Sequence, residues 1–239
     1  MRPFLIVQTG TTLPALRARR RDFPHWFRIG MGLPVGTVHI HDATADAAFP
    51  ALDRYAGVIV TGSGAMVTER QAWSERTAEW LATVARAASC PVLGVCYGHQ
   101  LLAHGLGGEV GWAPKGREIG TRDIVCTSAT RSDPLFAPLA RGFRAQTTHQ
   151  QSVLTPPAGA LVLAASDHDA HQAVRYGERA WGVQFHPEFS AGVMAGYVRG
   201  RAERLREEGI DPGVLLQTCG PTPAGRRLLR RFVRLAERS

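Results

Sequence analysis

Cys96 lies inside the stretch Gly94-Val95-Cys96-Tyr97-Gly98, where a buried apolar run ends and a helical pattern begins. Glycines permit tight backbone geometry, so this spacing is typical of a sharp turn that presents a cysteine at the end of a strand. The free N–H groups of the following helix would favour the thiolate, which is the form of cysteine that attacks. A small buried packing residue has the same surroundings, so this stretch alone leaves both interpretations open.

A cysteine nucleophile needs a base, and the base needs a group that orients it. His186-Pro187-Glu188 follows an apolar segment that predicts a strand from Trp181 to Phe185. In an extended chain, side chains two residues apart project to the same side, so we expect the Glu188 carboxylate beside the His186 ring. Alone, the pair also fits a surface ion pair. Together with Cys96, it predicts a Cys–His–Glu constellation at two strand ends of one sheet.

The elements that must position these residues show two different rhythms. In the first half, short apolar runs alternate with helical patterns, which predicts a parallel sheet with covered faces. These segments are 4–10, 37–42, 56–64, 73–89, 91–95 and 99–106. In the second half, strand-like runs follow one another with turns between them, which predicts an antiparallel part of the sheet. These runs are 117–127, 143–149, 160–167, 171–178 and 179–186.

Two helical patterns close the chain, one near Ala191 to Glu208 and an amphipathic one near Pro223 to Glu237. The segment between them contains several Gly and Pro residues and is predicted to be a connector. We find neither an internal repeat nor a low-complexity segment. The sequence therefore predicts a single domain over residues 1–239, with a C-terminal helical extension over about 191–239.

The formal net charge of +8 raises the question of a nucleic-acid partner. Lys115 is the only lysine, and the arginines cluster at 17–21 and near the C-terminus. We interpret these clusters as solvated helix faces, the alternative being a phosphate-binding patch. No nucleic-acid-binding motif supports the alternative, so the sequence argues against a nucleic-acid partner.

The four cysteines show neither CxxC pairing nor metal-site spacing, which favours a reducing compartment. No apolar run approaches the roughly 18 residues that would predict a membrane span. The first ten residues are predicted to be a strand and not a signal peptide, and we expect a cytoplasmic location. His39 with His41, and His168 with His171, lack further ligands, so we expect no metal and no cofactor.

Two motifs carry a resemblance to a known family. Gly94-Val95-Cys96-Tyr97-Gly98-His99-Gln100, followed later by His186-Pro187-Glu188, resembles the triad-type class I glutamine amidotransferases, whose pattern is G-x-C-x-G-x-Q and then H-P-E. Within this family, the chain is similar to stand-alone members related to the amidotransferase half of GMP synthase. The resemblance extends from the first strand to about Phe189. It implies a flavodoxin-like, three-layer α/β sandwich around a mixed, largely parallel sheet.

The resemblance also implies a mechanism. Cys96 would attack the side-chain amide of glutamine, giving a γ-glutamyl thioester and ammonia. His186 would carry the proton to the ammonia and then activate water, while Glu188 would orient the imidazole. The backbone N–H groups of Gly62 and Tyr97 would bind the oxyanion.

Further family positions imply the residues that contact the substrate. By alignment these residues are Gly64, Gln100, Thr148, Gln150 and Gln151. Two departures stand out, because Thr61-Gly62-Ser63-Gly64 replaces the commoner Gly-Gly-Pro, and a glutamine replaces the usual glycine at position 150. Both leave the thiol chemistry intact and bear on which γ-glutamyl compound fits.

Three functions remain open from the sequence. The first is a glutamine-hydrolysing amidotransferase, whose ammonia acceptor would be a separate synthetase subunit because no ATP pyrophosphatase motif is present. The second is a γ-glutamyl peptidase or hydrolase that acts on γ-glutamyl peptides or amines through the same triad. The third is a binding module without turnover. The sequence does not specify the oligomeric state.

Overall fold

A computed structural model describes residues 2–137 and 139–238 of the chain. Eleven strands are present in this part of the chain. They are β1 (Phe4–Gln8), β2 (Val38–Asp42), β3 (Val58–Val60), β4 (Val92–Val95), β5 (Glu109–Trp112), β6 (Glu118–Cys126), β7 (Gly142–His149), β8 (Gln151–Thr155), β9 (Leu161–Ala165), β10 (Ala173–Gly177) and β11 (Ala180–Val183).

Eight α-helices accompany these strands in the described ranges. They are α1 (Pro14–Arg20), α2 (Phe23–Met31), α3 (Ala72–Ala87), α4 (Tyr97–Gly105), α5 (Ala191–Gly200), α6 (Ala202–Glu207), α7 (Pro212–Thr218) and α8 (Pro223–Glu237). None of the helices in these ranges is both long enough and apolar enough to span a bilayer.

Nine of the described strands form one sheet, in the order β2-β1-β3-β4-β11-β10-β9-β6-β7. The five strands from β2 to β11 pair in parallel, and the pairings from β11 to β7 are antiparallel. Strands β5 and β8 form a separate antiparallel pair. The predicted mixed α/β sheet is thereby confirmed, with the change from parallel to antiparallel at β11.

Helices cover both faces of this sheet. Successive side chains of a strand point to opposite faces, and in β1 both sets are apolar and need to be buried. In β1, Phe4 and Ile6 belong to a core that includes residues of α2, α5 and α8. Leu5 and Val7 belong to a second core on the opposite face, together with residues of α3 and α4. Two helical layers therefore enclose the sheet, as expected for the predicted three-layer sandwich.

The structure differs from the sequence predictions in the C-terminal connector and at strand β8. Part of the predicted connector, Pro212–Thr218, is helix α7; Asp211 caps its start by accepting a hydrogen bond from Gly213 N–H. Strand β8 was not among the predicted strand-like runs; it begins at Gln151, one residue after the end of β7, and pairs with β5 in the separate two-stranded sheet. In the connector, Pro and Gly suggested a break in the chain. Pro212 instead occupies the first turn of α7, where its missing N–H costs nothing.

Candidate active site

Three neighbouring parallel strands end at one edge of the sheet, and each is followed by a predicted site residue. Gly62 follows β3, Cys96 follows β4 and His186 follows β11. The order β3-β4-β11 places the three chain segments side by side. The Cys96 N–H donates to the carbonyl oxygen of Val183 at 2.8 Å, which ties the end of β4 to the end of β11. The strand order and the hydrogen bonds between these strands therefore bring Gly62, Cys96 and His186 to the same edge of the sheet.

The turn at Cys96 has a strained backbone, with φ of 52° and ψ of −102°. L-residues rarely adopt such a conformation, and strain of this kind is concentrated at functional sites. A Cβ on Gly94 would collide with the carbonyl group of Gly98, and one on Gly98 would lie 2.6 Å from the Val60 oxygen. Both glycines of the motif are therefore required by the close approach of helix α4 to strands β3 and β4.

His186 and Glu188 are in contact, but the backbone between them is not extended. His186 to Phe189 form a turn in which the Phe189 N–H donates to the His186 carbonyl oxygen at 3.3 Å. Pro187 occupies the second position of this turn, where its fixed φ is favourable. The expected extended conformation is therefore wrong. The predicted contact is nevertheless present, since Nδ1 of His186 lies 2.8 Å from Oε1 of Glu188.

Aromatic rings hold the imidazole of His186 in one orientation. The Phe189 ring stacks on it with a centroid separation of 4.1 Å, and the Phe23 ring lies 6.3 Å away at a small interplanar angle. The turn itself is supported by α8, because a Cβ on Gly225 would lie 2.6 Å from the Pro187 carbonyl oxygen. Phe23 of α2 and Gly225 of α8, both distant from His186 in the sequence, thus act with Phe189 to fix the ring that faces Cys96.

Cys96 and His186 are electrostatically coupled. Burial raises the pKa of the Cys96 thiol, but the positive charge and hydrogen bond of His186, with a further contribution from the charge of His149, lower it below its usual value. Burial lowers the pKa of His186, but the Glu188 carboxylate and the Cys96 thiolate raise it to about 10. Both shifts favour a thiolate–imidazolium pair at neutral pH.

Two backbone N–H groups next to Cys96 are available as donors. In the described ranges neither the Gly62 N–H nor the Tyr97 N–H donates to an acceptor within the chain. A Cβ on Gly62 would lie 3.0 Å from Cε1 of His186 and 3.9 Å from Sγ of Cys96, so this residue directly adjoins both side chains. Tyr97 is the first residue of α4. Donors at this position suit an oxygen that becomes negatively charged.

A buried polar network lies on the other side of Cys96 and was not predicted from the sequence. Its centre is His149, whose Nε2 lies 2.8 Å from Oε2 of Glu118 and whose Nδ1 lies 3.0 Å from the Gln151 carbonyl oxygen. Asp169 and Glu118 raise the pKa of His149, although burial opposes them. Glu118 is directly opposite His149 in the β6–β7 pairing. The sequence signal was weak because this pairing joins residues 31 positions apart.

The residues predicted to bind substrate lie around one cavity of about 160 Å³ that contains Cys96. Gly64, Thr148 and Gln150 line it, and Thr148 Oγ1 accepts a hydrogen bond from Arg201 at 3.3 Å. The described lining residues are Ser63, Gly64, Ala65, Met66, Cys96, Tyr97, Gln100, Arg117, Thr148, His149, Gln150, Gln151, Arg201 and Arg204. None of these lining residues is acidic.

Gln100 and Gln151 line the same cavity, but their side-chain amides are largely used within the protein. Nε2 of Gln100 donates to the Gln151 carbonyl oxygen at 2.7 Å and to Gln184 at 3.0 Å. Nε2 of Gln151 donates to Thr68 Oγ1 at 2.6 Å. Both glutamines therefore shape the cavity wall, and the side-chain oxygen of Gln100 accepts no hydrogen bond from the described residues.

His99 and His104, which lie in the helix after Cys96, have structural partners. His99 is fully buried against the Tyr176 hydroxyl, 3.0 Å from Nδ1, and burial lowers the pKa of its ring to about 3. His104 lies 3.1 Å from Glu75. Over residues 2–137 and 139–238, no group of three or more His, Cys, Asp or Glu side chains has the arrangement of a metal site.

Comparison with known proteins identifies the class to which this chain belongs. The sequence model of the family described as glutamine amidotransferase class-I matches residues 31–199, which include Gly62, Cys96 and His186. The chain therefore belongs to the class I glutamine amidotransferase family.

Two relatives within this family have different activities in their names. The chain is 39% identical over 143 residues to a GMP synthase [glutamine-hydrolyzing] from Aeropyrum pernix, a match that covers 60% of this chain and 26% of that protein. It is 33% identical over 186 residues to a gamma-glutamyl-L-1-hydroxyisopropylamide hydrolase from Pseudomonas sp, covering 69% of this chain and 60% of that protein. The chain thus spans less than two thirds of both relatives.

A solved structure shares the fold. The glutamine amidotransferase from Thermotoga maritima superposes with a TM-score of 0.77, at 22% sequence identity and with 100% of both chains covered. At this identity the comparison supports the architecture of the sheet and its helical layers, and it agrees with the family assignment.

Proposed function

We propose that this protein hydrolyses the side-chain amide of glutamine to glutamate and ammonia through a γ-glutamyl thioester on Cys96. The observation that carries the proposal is the strained turn that presents a buried thiol, with a lowered pKa, next to the His186–Glu188 pair. An acyl-transfer nucleophile, a base and an orienting carboxylate are the three parts that such a reaction requires.

The first half-reaction uses the thiolate–imidazolium pair. The Cys96 thiolate adds to the amide carbonyl carbon, and the oxygen becomes an oxyanion that accepts hydrogen bonds from the Gly62 and Tyr97 N–H groups. His186 gives its proton to the amide nitrogen, the C–N bond breaks and ammonia leaves. The product on the enzyme is a thioester between Cys96 and the γ-carbonyl group.

The second half-reaction regenerates the thiolate. Neutral His186 takes a proton from water, the hydroxide adds to the thioester carbonyl carbon, and the C–S bond breaks to release glutamate. Glu188, 2.8 Å from Nδ1, keeps the proton on that nitrogen and stabilises the imidazolium each time it forms.

The similarity to the gamma-glutamyl-L-1-hydroxyisopropylamide hydrolase supports a second candidate, in which the released group is an amine in place of ammonia. The same residues would act in the same order, because both reactions cleave a γ-glutamyl C–N bond. In the first candidate, the ammonia would pass to a separate synthetase subunit. We further propose a cytoplasmic location for either activity.

The test compares two products from the purified protein: ammonia from glutamine, and amine from γ-glutamyl amides. We expect kcat/KM to fall by more than about 10³-fold in Cys96→Ala, as is usual for removal of a nucleophile. Cys126→Ala, which removes a thiol remote from the cavity, serves as the matched control. Amine release without ammonia release would favour the second candidate, and equal rates for Cys96→Ala and the native protein would refute both.

The pKa of His186 gives the pH dependence of the first half-reaction. Because Glu188 and Cys96 raise this pKa to about 10, the imidazolium that donates to the leaving group persists through neutral pH and is lost as the pH rises through about 10. We expect the initial rate of ammonia release to fall on that alkaline limb. A rate that declines already between pH 6 and 7 would contradict the proposed ion pair.

A further inference from the structure

An arginine in the wall of the cavity has no acidic partner. Arg201 lies at the junction of α5 and α6 and donates to Thr148 Oγ1 at 3.3 Å. Its guanidinium group lies over the Tyr197 ring, 5.3 Å from the ring centroid. No carboxylate in the described ranges forms an ion pair with Arg201, although Arg204 in the neighbouring helix α6 pairs with both Glu207 and Glu208.

A second arginine adjoins the first. Arg117 precedes β6, and its side chain is only 4% exposed. Its Nε and Nη2 atoms donate to the two carboxylate oxygens of Glu208, at 2.7 and 3.0 Å. The remaining nitrogen, Nη1, is buried without a hydrogen-bond partner in the described part of the chain. A buried unsatisfied donor is costly, so such groups call for a partner that is supplied from outside the chain.

The two guanidinium groups repel each other. Burial and the charge of Arg117 lower the pKa of Arg201. Since Glu208 pairs with Arg117, Arg201 is left at the cavity wall without a carboxylate bound to it in the described ranges. The described lining residues include no carboxylate, whereas they include three arginines and His149. An anion bound here would offset the repulsion between Arg117 and Arg201. It would also accept hydrogen bonds from guanidinium nitrogens that have no partner, such as Nη1 of Arg117.

We propose that Arg201 and Nη1 of Arg117 form an anion subsite that binds a carboxylate of the substrate. This inference rests on the proposed function, since the same cavity contains the Cys96 thiol that would attack the γ-carbonyl group. The substrate class is then γ-glutamyl compounds with a free carboxylate at this subsite. That carboxylate belongs either to the γ-glutamyl group itself or to an amino acid that is released as the amine product.

The kinetic experiment uses two matched pairs of substrates. Glutamine and its α-amide differ only in the α-carboxylate, and γ-glutamylglycine and its glycinamide analogue differ only in the carboxylate of the released group. We expect Arg201→Gln to raise KM about 10- to 100-fold for the carboxylate member of one pair, the loss typical of a charged hydrogen bond. The amide member should change by less than about 3-fold, and the responding pair identifies the carboxylate.

Two further variants control for charge and folding. Arg206→Gln removes the same charge from an exposed position of α6 and should leave both substrate pairs unchanged. Arg201→Lys keeps the charge without the planar donors, so KM should lie between the native and Arg201→Gln values. If Arg201→Gln raises KM equally for carboxylate and amide members in both pairs, the anion subsite is refuted.

A binding measurement separates this inference from the proposed function. L-glutamate is titrated calorimetrically into Cys96→Ala protein with and without Arg201→Gln, and we expect about 10-fold weaker binding in the double variant. Binding that depends on Arg201, in a protein without turnover on any γ-glutamyl compound, would refute the proposed function and support the subsite. Binding that is absent, or that does not depend on Arg201, would refute the subsite even where the native protein is active.

Discussion

At the residue scale, Cys96 combines backbone strain with an unusual electrostatic environment. Its φ of 52° follows from the turn between β4 and α4, and the charges of His186 and His149 lower the pKa of its thiol, although burial raises it. His186 is paired with Glu188 and His149 with Glu118. Each imidazole therefore has its own carboxylate, and the thiolate is stabilised by both rings.

The strained backbone gives a prediction for stability. Glycine adopts a positive φ without the steric cost that a Cβ brings, and strain of this kind costs about 1–3 kcal/mol. We expect Cys96→Gly to be more stable to urea than Cys96→Ala by about 1 kcal/mol, because the greater freedom of glycine in the unfolded chain offsets part of the gain. An alanine variant that is at least as stable as the glycine variant would show that the turn is not strained.

The lowered pKa of Cys96 gives a prediction for thiol reactivity. Burial raises the pKa values of Cys90, Cys126 and Cys219, and nearby arginines only partly offset this effect at Cys90 and Cys219. Iodoacetamide at neutral pH should therefore label Cys96 first, as measured by peptide mass spectrometry. Prior labelling of any other cysteine would contradict the thiolate at Cys96.

His149 should contribute to that reactivity. His149→Gln removes a positive charge near Cys96 while its amide can still donate to Glu118, so the thiol pKa should rise and labelling should move to higher pH. His25→Gln, a change on the surface of α2, is the matched control. An unchanged pH profile in His149→Gln would mean that Cys96 does not sense this charge.

At the scale of elements, helix α8 supports the turn that carries His186 and Glu188. Gly225 packs against Pro187, and a Cβ there would approach the Pro187 carbonyl oxygen to 2.6 Å. Because this atom belongs to rigid backbone, the turn must move to accommodate a larger residue. The helix that was predicted as a C-terminal extension therefore contacts the candidate site.

We expect Gly225→Ala to displace the turn and to lower kcat about 10- to 100-fold, since small misplacements of catalytic groups carry costs of this size. Arg227→Ala, at an exposed position of the same helix, should retain the native kcat. The measurement is the initial rate at saturating substrate, with thermal unfolding as a check on folding. Native kcat in Gly225→Ala would show that the turn does not depend on α8.

The sequence predicted the parallel strands and the Cys96–His186–Glu188 constellation because the apolar runs and each of the two motifs can be recognised locally. Apolar runs identify buried strands, and both motifs lie at strand ends whose neighbours are fixed by the sheet. His149, Arg117 and Arg201 were not predicted, because the pairing of β6 with β7 and the packing of α6 join distant segments. The turn at Pro187 and helix α7 were missed because proline suits turns, extended chain and first helical turns alike.

At the scale of the whole molecule, we propose that residues 1–239 form a single domain. Phe232 of α8 is fully buried and lies 6.4 Å from the Phe4 ring of β1, so the last helix and the first strand share one core. Arg226, Arg227, Arg230 and Arg234 of α8 are exposed, whereas Arg231 is half-buried and donates to the Pro134 carbonyl oxygen. The helix is amphipathic because its apolar face completes the layer over the sheet.

Phe232→Ala should destabilise the entire protein by about 3–5 kcal/mol, the usual cost of removing a buried aromatic ring. If the chain is one domain, urea unfolding monitored by circular dichroism and by tryptophan fluorescence should show one coincident transition that shifts as a whole. Two transitions, of which only one responds to the substitution, would indicate a separate C-terminal unit.

The change of strand direction at β11 divides the cavity between two parts of the chain. Cys96 and His186 follow parallel strands, whereas Arg117, Thr148 and His149 belong to the antiparallel β6–β7 ribbon or its start. Substitutions in that ribbon would therefore reshape one wall of the cavity and leave Cys96 and His186 untouched. The cavity wall and the proposed reacting groups can thus be varied independently in this fold.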